Sequence, residues 1–341
     1  MLDARKKAIL YVAVQEYILT AEPVSSQKLV EKYQLGVSSA TVRNELATLE
    51  VLGYLHQPHT SAGRIPTDMG YRYYVDGITD KPGLTHQEEN SIVKLFSSIN
   101  MEMEELMKET THILSNVTSY IAVALAPSFK KSMLKHIDLV SLSPRHVLVV
   151  LITDKGQVLK RTVSMEPYPG EIGEIERFLN EKLQGLDSTG ISALKDDTLT
   201  LPDPGASRTA STLINAILDI IESDERERVF LSGTASIYGQ PEFEELSKVH
   251  SLLNAIEQGY RLMQWLEDSV MTRKVLVRIG SENTDDDMRG CSIITSSYQL
   301  DSETQGTLGI IGPTRMNYSR AISVVELISD KLSKALVELR S

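Results

Sequence analysis

The stretch Ser38-Ser39-Ala40-Thr41-Val42-Arg43-Asn44-Glu45-Leu46-Ala47-Thr48-Leu49 decides how the first part of this chain folds. At about 100° per residue, Val42, Leu46 and Leu49 fall within roughly 60° of one another and form one apolar stripe. Ala40, Asn44, Ala47 and Thr48 fall on the opposite side, with Thr41 and Arg43 at its flanks. That side is small and polar. Ser38 stands where an N-cap belongs, so a helix is expected from Ser39 to about Leu52, ended by Gly53. Two helices are expected before it. Ile9, Leu10, Ala13, Tyr17 and Ile18 recur at helical spacing within 4–20, and Pro23 stops that run. Ser25 or Ser26 then caps a second helix that runs through Tyr33. After the third helix, Tyr54 to Thr67 reads as two short extended pieces around a polar tip. Gly63 sits where a side chain would clash. Three helices followed by a two-stranded tip is the order of a winged helix-turn-helix, in which the third helix enters the DNA major groove.

The chemistry of the outward side suits base reading. Small residues allow close approach. Asn pairs with adenine and Arg with guanine through two hydrogen bonds each, and a Thr methyl touches thymine. Thr41, Arg43, Asn44 and Thr48 are therefore the candidate readers. Ser25, Ser26, Ser38 and Ser39 stand at helix N-termini, where hydroxyls and free N–H groups bind phosphates. In the tip, His59, Thr60, Ser61 and Arg64 offer donors around Gly63. Helices in this arrangement also bind proteins, so the periodicity alone leaves a protein-interaction module open.

Composition bounds the rest. The 341 residues are 41% hydrophobic and 24% charged, ordinary for two or three globular units. A single cysteine, Cys291, excludes an internal disulfide and a multi-cysteine zinc site. No apolar run reaches the length of a membrane span. The apolar run from Ala8 to Val14 is too short for a secretory signal, so a cytoplasmic protein is expected. The net charge is −11, which disfavours nucleic acid on charge alone. Residues 1–80, however, carry eight Lys and Arg against nine Asp and Glu. That segment is nearly neutral, and a DNA reader works there only if its few cations share one face.

Downstream, 86–118 reads as amphipathic helix. Strands are expected at 120–126, 136–142, 147–153 and 157–163, the last two forming a hairpin over Asp154-Lys155-Gly156. Helices near 171–184, 208–223 and 241–257 follow. Strand signals resume at 275–279, 291–298 and 307–311, before a final helix from Tyr318 to about Leu339. Strands on both sides of a helical stretch suggest an insertion within one α/β sheet domain. The expected class is α+β and multidomain, divided as 1–80, 84–165, 166–262 and 263–341, with the third part inserted and mainly helical. The apolar faces of 92–114 and 318–339, and the insertion, are all open as a dimer surface.

Several blocks resemble a known family. They are Ser38 to Leu46, Leu49-Glu50, Leu52-Gly53-Tyr54-Leu55, His59 to Thr67 and Gly70-Tyr71-Arg72-Tyr73-Tyr74-Val75-Asp76. Farther on come Leu231-Ser232-Gly233-Thr234-Ala235-Ser236, Gln240-Pro241-Glu242-Phe243 and Gly309 to Tyr318. Their order along the chain resembles the heat-inducible transcription repressor HrcA family. The resemblance implies a winged-helix DNA-binding domain, a GAF-like α/β domain and a dimerising domain inserted into it. It also implies a homodimer that represses heat-shock chaperone operons at an inverted repeat called CIRCE, with the GroE chaperonin maintaining its activity. Ser25 departs from the family, where Gly is frequent.

Competing chemistry is thin. No Ser/His/Asp, metal-site or paired-carboxylate arrangement stands out, so an enzyme is not expected, nor a cofactor. Asp285-Asp286-Asp287 lacks EF-hand spacing and reads as a solvated loop. His56 and His59 lack a third ligand. Ser232-Gly233-Thr234 reads as a structural turn into a helix, and Arg315 as a contact between domains.

Overall fold

A computed structural model describes residues 2–59, 63–79, 84–96, 103–126, 132–194, 201–243, 246–257, 266, 275–300 and 305–338. The N-terminal helices begin where short polar side chains can cap them. Helix α1 (Ala4–Thr20) is capped by Asp3, α2 (Ser26–Lys32) by Ser25 and α3 (Ser39–Val51) by Ser38. Each cap accepts an orphan N–H of the first turn. Strands β1 (Leu55–His56) and β2 (Ile65–Pro66) pair antiparallel, with Leu55 opposite Pro66 and His56 opposite Ile65. Val24 adds an antiparallel bridge to Arg64, with both N–H···O distances 2.9 Å. A Cβ at residue 63 would lie 2.5 Å from the Val24 carbonyl oxygen, so that close approach requires glycine. Helix α4 (Asp68–Asp76) follows, capped by Thr67. Ile9, Leu10, Val14, Leu29, Val42, Leu46, Leu49, Leu55 and Tyr74 are buried together. Tyr11 stacks on Tyr74 at 4.7 Å between ring centroids.

The expected helical region 86–118 appears as α5 (His86–Phe96) and α6 (Met103–Thr118). The strands β3 (Ile121–Leu125), β7 (Val229–Ser232), β8 (Leu276–Ile279), β9 (Cys291–Gln299) and β10 (Gln305–Pro313) form a sheet in the order β7-β3-β10-β9-β8. Strand β10 pairs antiparallel with β3 and β9, and β9 with β8. The final helix, α11 (Tyr318–Glu338), packs on β9 and on α6, and α6 packs on β3. Burial runs without alternation through β3 and nearly so through β10, as expected of strands covered on both faces.

The chain divides into two compact units. One comprises Met1–Leu125 with Phe230–Leu339, and the other Ala126–Val229. This moves the insertion from the expected 166–262 to 126–229, and beside its helices it holds a sheet of its own. Its strands β4 (Leu134–Ser143), β5 (His146–Thr153) and β6 (Val158–Ser164) form a separate meander, β4-β5-β6. The hairpin at 147–163 is present, with Ile152 opposite Val158. Helices α7 (Ile172–Leu183), α8 (Ser188–Ala193) and α9 (Pro204–Glu227) complete the unit. Ile137, Leu139, Val147, Val149 and Leu151 share a core with Ile175, Leu179, Leu213, Ile214 and Ile217. Alternating burial in β5 marks a sheet with one covered face, and that face is filled by the unit's own helices. This is why the strands do not join the larger sheet. Helix α10 (Leu246–Glu257) belongs with the first unit.

Candidate nucleic-acid interface

Helix α3 buries Val42, Leu46 and Leu49 and exposes Ser39, Ala40, Arg43, Asn44 and Thr48. The small polar side expected from the sequence is therefore at the surface. Among the described residues, no hydrogen bond or ion pair engages the side chains of Arg43 or Asn44. Thr48 Oγ1 donates to the Asn44 carbonyl at 3.0 Å, which turns that hydroxyl back onto the helix. Ser38 Oγ accepts the Thr41 N–H at 3.2 Å and lies 3.0 Å from Thr41 Oγ1. Ser25 Oγ accepts the Lys28 N–H at 3.2 Å. The Ser25 hydroxyl keeps its proton to donate, and Ser38 and Thr41 share one hydroxyl–hydroxyl contact and leave the other proton to donate. Ser26 is the first helical residue of α2 and half-buried. His59 and Gly63 stand at the two described edges of the tip, His59 exposed. Thr60 and Ser61 lie outside the described residues.

Arg64, one of the donors expected in the tip, is paired with α3. Its Nε donates to Glu50 Oε2 at 2.9 Å, and its side chain is only 16% exposed. It ties the tip to α3. Glu45, on the other flank of the outward side, takes Arg5 at 3.6 Å and Lys6 at 3.3 Å from the start of α1. Glu45 and Glu50 are five residues apart, about 140° around the helix. Both carboxylates of α3 that would repel a phosphate are thus offset by cations from neighbouring elements.

A third acid organises α2. Glu16 is fully buried in α1 and accepts from Lys32 Nζ at 2.6 Å and Tyr33 Oη at 2.9 Å, with Lys28 Nζ at 3.5 Å. Burial works to raise its carboxyl, but the hydrogen bonds from Lys32 and Tyr33 outweigh it and hold the group below the usual carboxylate range. Burial, reinforced by Glu16, pushes the Tyr33 hydroxyl up to about 12. Sequence reading passed over this cluster. Its signal was a carboxylate in helical register with Ile9 and Ala13, on the buried side of α1.

Arg5, Lys6, Lys28, Lys32, Arg64 and Arg72 stand in ion pairs. Lys7 and Arg43 have no ion-pair partner among the described residues. The charge left to meet a polyanion is small, and Arg43 carries it on the outward side of α3.

Elsewhere the polar groups serve the fold. Asp285 Oδ1 accepts the Asp287 N–H at 3.1 Å, and Asp286 pairs with Arg289 at 2.8 Å. Burial pushes the Cys291 thiol up to about 12. Among the described residues, no group of three or more His, Cys, Asp or Glu is placed to hold a metal ion, and no helix is long and apolar enough to cross a membrane.

Comparison with known proteins adds to this geometry. Residues 104–322 match the family model described as the HrcA protein C-terminal domain. The heat-inducible transcription repressor HrcA of Moorella thermoacetica is 38% identical over 99% of this chain and 99% of its own length. The repressor of the same name from Pelotomaculum thermopropionicum is 37% identical over 98% of this chain and 97% of its own. A solved structure described only as a hypothetical protein is 25% identical, with a TM-score of 0.70 over 99% of this chain and 100% of that one.

Proposed function

The chain belongs to the HrcA family of heat-inducible transcription repressors, and on that premise we propose that it is a sequence-specific repressor of heat-shock chaperone operons. It binds the CIRCE inverted repeat as a homodimer, and the GroE chaperonin maintains its active form. The family is one of repressors, not of enzymes. Residues 1–80 act as a winged helix-turn-helix, residues 84–125 and 230–339 as a GAF-like domain, and residues 126–229 as the dimerising insertion.

The observation that carries this reading is the outward side of α3, where Arg43 and Asn44 are exposed and unengaged among the described residues. Two copies related by a two-fold axis present two such helices to two half-sites. In this reading Thr41, Arg43, Asn44 and Thr48 meet bases. Ser25, Ser26, Ser38, Ser39 and the tip residues His59, Thr60, Ser61 and Gly63 meet the backbone. Arg64 positions the tip through Glu50.

Fluorescence anisotropy at fixed salt, with a CIRCE duplex and a scrambled control, tests it. Tight binding to the repeat alone, improved by added GroE, is the expected result. Equal binding to both duplexes with chaperonin present overturns it.

A further inference from the structure

On the side of the N-terminal segment formed by α4 and the end of α1, Asp68, Arg72 and the Ile18 carbonyl are all engaged. Asp68 Oδ2 accepts the Ser281 N–H at 2.8 Å. Arg72 donates through Nε to Glu282 Oε1 at 2.7 Å and through Nη2 to the Val277 carbonyl at 2.6 Å, and it also contacts Glu282 Oε2. Glu282 Oε2 in turn accepts the Ile279 N–H at 2.9 Å, which fixes the carboxylate before Arg72 meets it. Gly280 has φ +52°, and a Cβ there would stand 2.3 Å from Asp68 Oδ1. The loop after β8 is therefore shaped to receive the first turns of α4. At a separate point, Arg315 Nη1 donates to the Ile18 carbonyl at 2.9 Å while its Nε holds Glu242 Oε1 at 2.5 Å. Ile18 lies in the last turn of α1, where carbonyls lack helical partners. Between these points the rings of Tyr71 and Tyr318, both buried, approach to 6.0 Å.

Contacts at Asp68, at Arg72 and at Ile18 are three points on one segment, and three points fix an orientation. None of them involves α3. A dimer reading an inverted repeat needs each third helix at a set distance and angle from the other, since half-site spacing mirrors protein geometry. We propose that Asp68, Arg72, Glu282 and Arg315 are positioning residues that set the half-site spacing this repressor accepts. The proposal rests on the dimeric operator reading above. It assigns specificity to residues that touch no base.

The test compares four duplexes by anisotropy. They are the CIRCE repeat, the repeat with its spacer lengthened by about five base pairs, a single half-site and a scrambled control. The insertion turns one half-site by about half a helical turn. Wild type is expected to lose about tenfold or more on the insertion. The double variant Arg72→Ala/Glu282→Gln is expected to lose less than about threefold, with half-site affinity within about twofold of wild type. Arg72→Lys, which keeps the charge but not the fork of contacts, is expected to fall between them, as is Arg315→Lys at the second point. A double variant that retains the tenfold penalty overturns the proposal. So does a loss of half-site affinity parallel to that for the full repeat, which marks mere destabilisation of the reader. If wild type binds repeat and scrambled DNA alike, the repressor reading falls and takes this proposal with it. That outcome differs from the first, in which wild type discriminates and the variant does too.

Discussion

Helices α3 and α4 lie close in sequence and use their polar groups in opposite ways. Helix α3 keeps Arg43 and Asn44 exposed and unengaged among the described residues. Helix α4 spends Asp68 and Arg72 on a loop more than two hundred residues away. A cation already satisfied by a carboxylate gains little from a phosphate, because the pair must be broken first. An unengaged one loses only water. The difference separates recognition from positioning in a segment whose net charge gives no clue to either. The two carboxylates of α3 sharpen the point, since Glu45 and Glu50 hold Arg5, Lys6 and Arg64 at the flanks of the reading side.

The largest effect that breaks this comparison is loss of the helix itself. Leu46 is 1% exposed beneath α3, and Leu46→Ala is expected to cost about 2–5 kcal/mol of stability. Denaturant unfolding checks it, and a change below about 1 kcal/mol would mean that the stripe is not the anchor of α3. A smaller effect is expected from Ser38→Ala, which removes the cap at the reading end of α3 and costs about 1 kcal/mol. The unfolding midpoint should fall while the denaturant slope stays constant.

Acid should weaken the paired groups. In the folded chain the Glu16 and Glu282 carboxyls both lie below their ordinary value of 4.5; burial opposes this, and the hydrogen bonds from Lys32 and Tyr33 to Glu16, and from Arg72 and the Ile279 N–H to Glu282, win. A carboxyl lowered by folding adds stability above its unfolded pKa, and that stability disappears as pH falls from about 4.5 toward the folded value. The melting temperature is expected to drop over that window. Glu16→Gln should flatten the drop, whereas an unchanged acid slope in the variant would remove Glu16 from the account.

Much of the N-terminal segment was legible because its determinants are local. Ser25 and Ser38 cap helices within three residues of themselves, the stripe of α3 repeats at three and four residues, and Gly63 marks a close approach to Val24. What escaped the sequence is long-range. Arg64 looks like a free cation until the fold brings it to Glu50, and Arg72 until the fold brings it to Glu282. Strands β4 to β6 were recognisable as strands, but their sheet was not. Pairing partners are a property of the folded chain: β5 is a continuous apolar run in sequence, and its alternating burial, set against the unbroken burial of β3, exists only in the fold. The inserted unit therefore begins at 126 rather than at 166.

The most direct test of the distinction between reading and positioning is discrimination by Arg43→Ala and Asn44→Ala. Anisotropy should be measured with the CIRCE half-site and its scrambled counterpart over a series of salt concentrations. Each substitution is expected to remove about 1–3 kcal/mol of preference for the half-site, leaving the two duplexes nearly equal. With Lys7 and Arg43 as the cations outside ion pairs, the salt dependence should be shallow, a slope of about −2 per half-site. If both variants keep the wild-type preference for the half-site, the outward side of α3 is not the reading surface, and the account fails at its centre.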